Sequence, residues 1–147
     1  MKEENREGPS ILVRNLQRKI ALDRVALEQF AQRALRHCLR EPGPGLTSIE
    51  EVAVLLVSDR RMAELHRRFM QIAGPTDVIT FQHGEIFLSV ETAGRQAKTF
   101  GTSLEYELRL YLVHGLLHLR GFDDHDPAAR RRMHAIQKRI VKCASRP

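Results

Sequence analysis

The chain has 147 residues, 42% of them hydrophobic, which is the size and composition of a folded domain rather than of a disordered protein. Lysine and arginine outnumber aspartate and glutamate by 24 to 18, and this basic balance favours a polyanionic partner such as nucleic acid. The sequence lacks an apolar run near the ~20 residues that cross a bilayer, and residues 1–10 are polar. We therefore expect one cytoplasmic domain over residues 1–147, with no membrane segment.

Short strands and amphipathic helices alternate along the chain, and capping or turn residues bound each predicted element. In chain order we predict a strand at 11–13, a helix from Asp23 to about Cys38, a loop at 41–45, a strand at 49–57, a helix capped by Ser58 or Asp59, two strands at 78–81 and 85–90, a helix opened by the capping-box pair Thr102 and Glu105, and a helix with Asp126 as N-cap and Pro127 at its first position. The third of these helices is expected to be the longest. This order predicts an α+β fold with a small mixed sheet and about four to five helices.

Apolar residues recur at helical spacing and predict the buried face of three of these helices. The predicted buried residues are Leu27, Phe30, Ala31, Ala34, Leu35 and Cys38 in the first helix, Met62, Leu65 and Phe69 in the second, and Met133, Ile136, Ile140 and Cys143 in the last. Both cysteines fall in these stripes. Two buried, reduced thiols are therefore favoured over a single disulfide.

The strongest chemical signal is a pair of histidines followed by a glycine and a cluster of acids. His114 and His118 are four residues apart, so both imidazoles lie on one face of a helix and can bind the same metal ion. Gly121 can end that helix in a left-handed turn. The chain would then return Asp124 or His125 to the same ion as a third ligand. Three protein ligands with one position left for water are typical of a catalytic zinc site.

The residue after the first histidine narrows the chemistry of this zincin-like helix. Zinc peptidases of the HExxH type carry a glutamate there as general base, whereas this chain has Gly115. The site therefore lacks the peptidase's proton acceptor. A metal ion can still activate water, because zinc lowers the pKa of bound water to about 7. The pattern indicates a hydrolase whose general base the sequence does not identify.

Three segments, in this order, resemble the signature of the YbeY endoribonucleases. They are residues 74–81 (GPTDVITF), residues 84–89 (GEIFLS) and residues 114–123 (HGLLHLRGFD), and the run 103–105 that leads into 112–114 fits as well. The resemblance is close over residues 49–134. It implies a metzincin-like site with one Zn²⁺ and a single-strand-specific endoribonuclease. It also implies maturation of the 3′ end of small-subunit ribosomal RNA, ribosome quality control, and precursor ribosomal RNA and the small ribosomal subunit as partners.

Two positions depart from the family pattern. The resemblance implies a histidine ligand at position 124, where this chain has Asp124, with His125 directly after it. Asp124 preserves the spacing and is our expected third ligand, with His125 as the alternative. The family also carries an arginine where this chain has Met70, and Arg67 or Arg68 could take over its contact with substrate phosphate. We therefore expect His114, His118 and Asp124 to be the catalytic and metal-binding residues.

Other polar residues permit more than one interpretation. His83, in the loop between the predicted strands 78–81 and 85–90, could contact RNA together with Arg67 and Arg68. Asp77 could orient a site histidine or only cap its own turn. The chain has no Trp and few aromatic residues, so the composition does not favour a base-stacking platform.

Two alternative functions remain consistent with the sequence. One is a metallopeptidase-like hydrolase. The histidine spacing on the helix fits this function, but the absence of the catalytic glutamate argues against it. The other is a ribosome-assembly factor that binds RNA and cleaves it weakly, which Met70 and Asp124 would favour.

Overall fold

The computed structural model describes residues 8–147, which contain four strands and five helices. In chain order these are β1 (Ser10–Asn15), α1 (Arg24–Leu39), β2 (Glu51–Val57), α2 (Asp59–Met70), β3 (Val78–Phe81), β4 (Glu85–Ser89), α3 (Val90–Phe100), α4 (Leu104–Arg120) and α5 (Pro127–Ala144). The predicted α+β class with a small mixed sheet is confirmed. Across residues 8–147, no helix is both long enough and apolar enough to cross a bilayer.

The four strands form one sheet in the order β1-β2-β4-β3. β1 runs parallel to β2, and β2 runs parallel to β4, with Val54 opposite Ile86. β3 pairs antiparallel with β4 through the short turn at 82–84 and forms one edge of the sheet. The two strands predicted for this segment therefore form a hairpin, and its outer strand is open on one side.

The two faces of the sheet are covered by different helices, because alternate side chains of a strand point to opposite faces. Val54 and Leu56 of β2 belong to the main core, which they share with α1, α4 and α5. Leu55 and Val57 belong to a smaller cluster that includes Met62 of α2. Thus α4 packs on one face of the sheet and α2 on the other.

Most predicted helix starts are confirmed by their capping hydrogen bonds. Asp23 caps α1 and accepts a hydrogen bond from Ala26 N at 3.0 Å. Ser58, not Asp59, caps α2, and Asp126 caps α5 with Pro127 directly after it. The buried residues of α1 are the six predicted from its apolar spacing.

The start of α4 differs from the prediction. Its N-cap is Ser103, whose hydroxyl oxygen accepts a hydrogen bond from Tyr106 N at 3.1 Å. Thr102 instead donates its hydroxyl hydrogen to the buried Glu107 at 2.6 Å, so the Thr102–Glu105 capping box is wrong. α4 has 17 residues and α5 has 18, so α4 is not the longest helix.

The sequence reasoning did not anticipate α3. The predicted strand 85–90 ends at Ser89, because the Ser89 hydroxyl accepts from Thr92 N at 3.3 Å and thereby caps a new helix. Val90 is the first residue of that helix rather than the last of the strand. A β-branched residue next to a strand gives no local signal of this change.

Two residues predicted to be buried are exposed. Phe69 is 55% exposed. It lies in the last turn of α2, beyond the part of the helix where Met62 packs against the sheet. Cys143 is also exposed, because α5 buries Val141 and Ala144 around it instead. Cys38 is buried as predicted, and both thiols are free, so the structure contains no disulfide between them.

Candidate metal centre

The two histidines of α4 lie one helical turn apart on the side of the helix that meets α5. Their rings are T-shaped with centroids 4.6 Å apart, and both side chains are partly buried. The Nε2 atoms of His114 and His118 are 3.1 Å apart. The prediction that one face of this helix presents both imidazoles together is therefore confirmed.

The turn after α4 brings a carboxylate to the two imidazoles. Gly121 ends the helix with φ +121°, and its N–H donates to the carbonyl of Leu117. A residue with a Cβ would be strained at this positive φ. Asp124 follows, and its Oδ2 lies 3.8 Å from His114 Nε2 and 3.9 Å from His118 Nε2. One nitrogen or oxygen from each of the three side chains thus lies within 4.8 Å of the others, a group able to hold a metal ion.

Hydrogen bonds on the outer side of each ring fix which nitrogen faces this group. His118 Nδ1 lies 3.1 Å from the carbonyl oxygen of Phe122, which can only accept, so Nδ1 carries the proton. His114 Nδ1 lies 2.9 Å from Gln137 Oε1, which likewise accepts. In the neutral rings, both Nε2 atoms therefore turn lone pairs towards each other and towards Asp124 Oδ2. Three converging electron-pair donors with no proton between them suit a cation.

Burial and the neighbouring ring favour the uncharged form of His118. Burial lowers the pKa of His118, and the adjacent His114 lowers it further, although Asp124 opposes the shift. A neutral imidazole is the form that binds a metal ion. The local environment of His118 therefore favours the protonation state that metal binding needs.

His125, the alternative third ligand, is exposed and is not in this group. Its backbone N–H donates to Asp123 Oδ1 at 3.1 Å and closes the turn that carries Asp124. The geometry thus supports Asp124 over His125. Asp123 thus holds the turn, and among residues 8–147 it is not a member of the metal-binding group.

Two residues that support the site were missed by the sequence reasoning. Gln137 is buried on α5 in the apolar stripe between Met133 and Ile140, and it orients His114. A polar residue at a stripe position was the signal that could have revealed it. Arg120, also buried, donates to the carbonyls of Leu39, Glu41 and Gly45, and so ties the end of α4 to the loop at 41–45.

The residues predicted to contact substrate lie elsewhere. Arg67 and Arg68 are exposed in the last turn of α2, on the sheet face opposite α4, and His83 lies in the turn between β3 and β4. Within residues 8–147, no hydrogen bond or ion pair links any of these side chains to the His114–His118–Asp124 group. Asp77 caps its own turn, because its Oδ1 accepts from Val78 N at 2.8 Å.

Comparisons with known proteins identify the family of this chain. A family model described as Endoribonuclease YbeY matches residues 12–145. Proteins named Endoribonuclease YbeY from Heliobacterium modesticaldum and Gluconobacter oxydans are 35% and 36% identical, over 71% and 78% of this chain and 75% and 72% of their own lengths. The one from Salinispora tropica is 39% identical over 72% of this chain and 80% of its own length.

A solved structure has a similar fold. The solution structure of TM1509 from Thermotoga maritima has a TM-score of 0.66 and 27% identity, covering 91% of this chain and 88% of that one. The resemblance inferred from the three sequence motifs is therefore confirmed. On the match over residues 12–145, this chain belongs to the Endoribonuclease YbeY family.

Proposed function

We propose that this chain is a zinc-dependent endoribonuclease that cleaves single-stranded RNA and acts in the maturation of ribosomal RNA. The observation that carries the proposal is the convergence of His114 Nε2, His118 Nε2 and Asp124 Oδ2 in a chain of this family. We further propose that its 147 residues act as one domain, in the cytoplasm, on precursor RNA of the small ribosomal subunit. A role in ribosome quality control belongs to the same proposal.

The spacing and chemistry of the three groups support zinc as the ion. A tetrahedral zinc ion with bonds of about 2.0–2.1 Å holds its ligand atoms about 3.3 Å apart. The observed separations of 3.1, 3.8 and 3.9 Å bracket that value, so small side-chain movements would complete the site. Two imidazoles and one carboxylate are a common set of protein ligands in catalytic zinc sites.

The residues around the ion define what this chain contributes to RNA cleavage. A bound zinc ion supplies a Lewis acid that can polarise a phosphoryl oxygen and lower the pKa of water. Gln137 and the Phe122 carbonyl hold the two imidazoles with their Nε2 lone pairs inward. Gly115 offers no side chain, so the proton released by the attacking hydroxyl group, whether from water or from the RNA 2′-hydroxyl, must go to a group other than residue 115.

The experiment that tests the proposal offers two substrates to the purified protein. Labelled single-stranded RNA and casein are each incubated with the protein, with and without a chelator, and His118→Ala is assayed in parallel. We expect RNA to be cut, the chelator and His118→Ala to stop the cutting, and casein to stay intact. Cleavage of casein alone, or RNA cleavage that survives both treatments, would contradict the proposal.

A ribosome-assembly factor that cleaves poorly is the second candidate. Met70 and Asp124 favour it, because both replace residues that the family resemblance implies. In that case the protein would bind ribosomal RNA tightly while cutting it no faster than His118→Ala does. Binding should weaken as salt rises, with a log–log slope of about −0.7 for each phosphate neutralised. An affinity that does not change with salt concentration would argue against RNA as the partner, both for the nuclease and for the assembly factor.

A further inference from the structure

Four side chains from α2 and the β3–β4 hairpin form a cationic aromatic cluster on the surface. The Phe69 and Phe81 rings are T-shaped with centroids 5.2 Å apart, and the ring of His83 stacks on Phe81 at 5.9 Å and 24°. The guanidinium carbon of Arg68 lies 5.4 Å above the Phe69 ring. We call Arg68, Phe69, Phe81 and His83 the α2–β3 platform.

The outer members of the platform are accessible. Phe69 is 55% exposed, and the His83 side chain is 69% exposed, whereas Phe81 between them is partly buried against Phe87. A folded protein gains little from leaving these rings in water. Phe81 therefore supports two rings whose outer faces are accessible to a ligand, while His83 Nε2 lies 2.9 Å from Glu85 Oε1.

One member of the platform belongs to β3, the strand that also contacts the helix of the candidate metal centre. Phe81 is the last residue of β3, the edge strand, and the preceding Thr80 lies against α4 on the other side of that strand. A Cβ added to Gly115, next to His114, would be 3.1 Å from Thr80 Oγ1. A chain that crosses the free edge of β3 can thus reach both the platform and the histidines.

The charge beside the platform favours nucleic acid over protein. α2 carries four arginines, Arg60, Arg61, Arg67 and Arg68, and only two acids, Asp59 and Glu64. Asp59 is already paired with Arg95. Arginine binds phosphate and also stacks on planar groups, and aromatic rings stack on unpaired bases of any sequence. The arginines can therefore bind the phosphate of a single-stranded nucleotide, and the aromatic rings can bind its base.

We propose that the α2–β3 platform holds one unpaired base of single-stranded RNA outside the cleavage position, with the base stacking on Phe69, the inclined His83 ring contacting the edge of the base, and Arg68 contacting its phosphate. This inference rests on the proposed function and adds a substrate subsite to it. The composition, which lacks Trp, did not favour such a platform. The tertiary structure makes it, because α2 and β3 bring together rings from residues 69, 81 and 83.

The test measures binding of RNA with single bases removed. A labelled single-stranded 2′-O-methyl oligonucleotide, checked on a gel to stay intact, is titrated with zinc-loaded protein, and each position in turn is made abasic. Loss of one stacked base should weaken binding by about 5-fold or more, at one position of the oligonucleotide. Phe69→Leu should weaken binding of the complete oligonucleotide and remove most of the penalty for the abasic one.

Three further variants make the result specific. Phe100→Leu is the matched control, because Phe100 is 66% exposed on α3 and has no aromatic or cationic contact in the part of the chain that is described. It should bind like the parent. His83→Ala should repeat the Phe69→Leu result, which guards against a folding defect in either variant. Arg68→Gln should lower the salt slope by about 0.7.

The outcomes separate this inference from the proposed function. If Phe69→Leu and His83→Ala both bind like the parent, or both keep the full abasic penalty, the platform holds no base, whether or not the protein cuts RNA. If the parent binds the oligonucleotide with the expected dependence on Phe69 but cuts no RNA, the platform stands and the proposed nuclease activity fails.

Discussion

Gly115 lies against Ile86 with no room for a β-carbon between them. A Cβ built on Gly115 would be 2.7 Å from Ile86 Cγ2, closer than real Cβ contacts, and 3.0 Å from Ile86 Cδ1, which is tighter than most of them. The helix that carries both histidines is thus pressed onto β4 at the residue where a peptidase of the HExxH type has its glutamate. Close packing therefore accompanies the absence of a proton-accepting side chain at position 115.

We predict that Gly115→Ala destabilises the protein, although alanine normally favours a helix over glycine by about 1 kcal/mol. Overpacking a core of this kind typically lowers the free energy of unfolding by about 1–3 kcal/mol. Gly94→Ala is the matched control, because Gly94 is also helical but its nearest contact for a Cβ is Ile20 at 4.0 Å. Urea unfolding should show the first variant weakened and the second unchanged or strengthened. Equal stability of Gly115→Ala and the parent would contradict this packing.

The second prediction concerns the third metal ligand. Asp124→Ala should lose bound zinc and nuclease activity, because Asp124 Oδ2 lies within 3.9 Å of both Nε2 atoms. His125→Ala should keep both, because His125 is exposed and outside the group. Zinc per chain after dialysis, measured by atomic absorption, tests this directly. Asp124→His should retain zinc, since it restores the ligand that the family resemblance implies.

The opposite pattern would identify a different ligand. If His125→Ala loses zinc and Asp124→Ala keeps it, the alternative third ligand is correct. If both alanine variants hold as much zinc as the parent, neither residue binds the ion, and the turn after Gly121 serves another purpose.

The third prediction concerns thiol reactivity. Burial raises the pKa of Cys38 to about 12, so its thiol stays protonated and unreactive at pH 8, and the surrounding core also blocks access. Cys143 is exposed. A colorimetric thiol reagent should therefore label about one thiol per chain in the native protein and two in denaturant. Cys143→Ser should abolish the native reaction, and rapid labelling of that variant would contradict the buried position of Cys38.

The fourth prediction concerns Asp59, at the start of α2. Burial alone would raise its pKa, but hydrogen bonds from Arg95, Ser89 and Thr92 outweigh burial and hold the pKa of Asp59 below its ordinary value of 3.8. The stability it adds is therefore fully present above pH 3.8 and is lost as pH falls through the lowered value. Asp59→Asn should lower the free energy of unfolding at pH 7 by about 1–3 kcal/mol.

The pH series supplies the check on that prediction. The difference in unfolding free energy between parent and Asp59→Asn should shrink as the pH falls below 3.8. Glu64→Gln serves as the control, because Glu64 is exposed on the same helix and forms no ion pair among residues 8–147. A constant difference across the series would mean that the charge of Asp59 does not stabilise the fold.

The sequence alone predicted those features of a helix or strand that depend only on residues close together in the chain. The six buried residues of α1 follow from helical spacing, and its cap follows from Asp23 alone. Where two candidates competed locally, the prediction failed, as at Thr102 and Ser103, because both hydroxyls precede the helix and only the packed Glu107 takes one of them. α3 was missed for a related reason, since the chain changes from strand to helix at Ser89 without a turn residue.

For the site, the sequence by itself determined that His114 and His118 share a helix face, because that depends only on four-residue spacing. It could not decide between Asp124 and His125, because the turn after Gly121 sets which side chain returns to the helix. It also could not place Gln137 beside His114 or Phe69 beside Phe81. Those contacts join residues far apart in the chain, and only the packing of α5 on α4, and of α2 on the sheet, brings them within reach of one another.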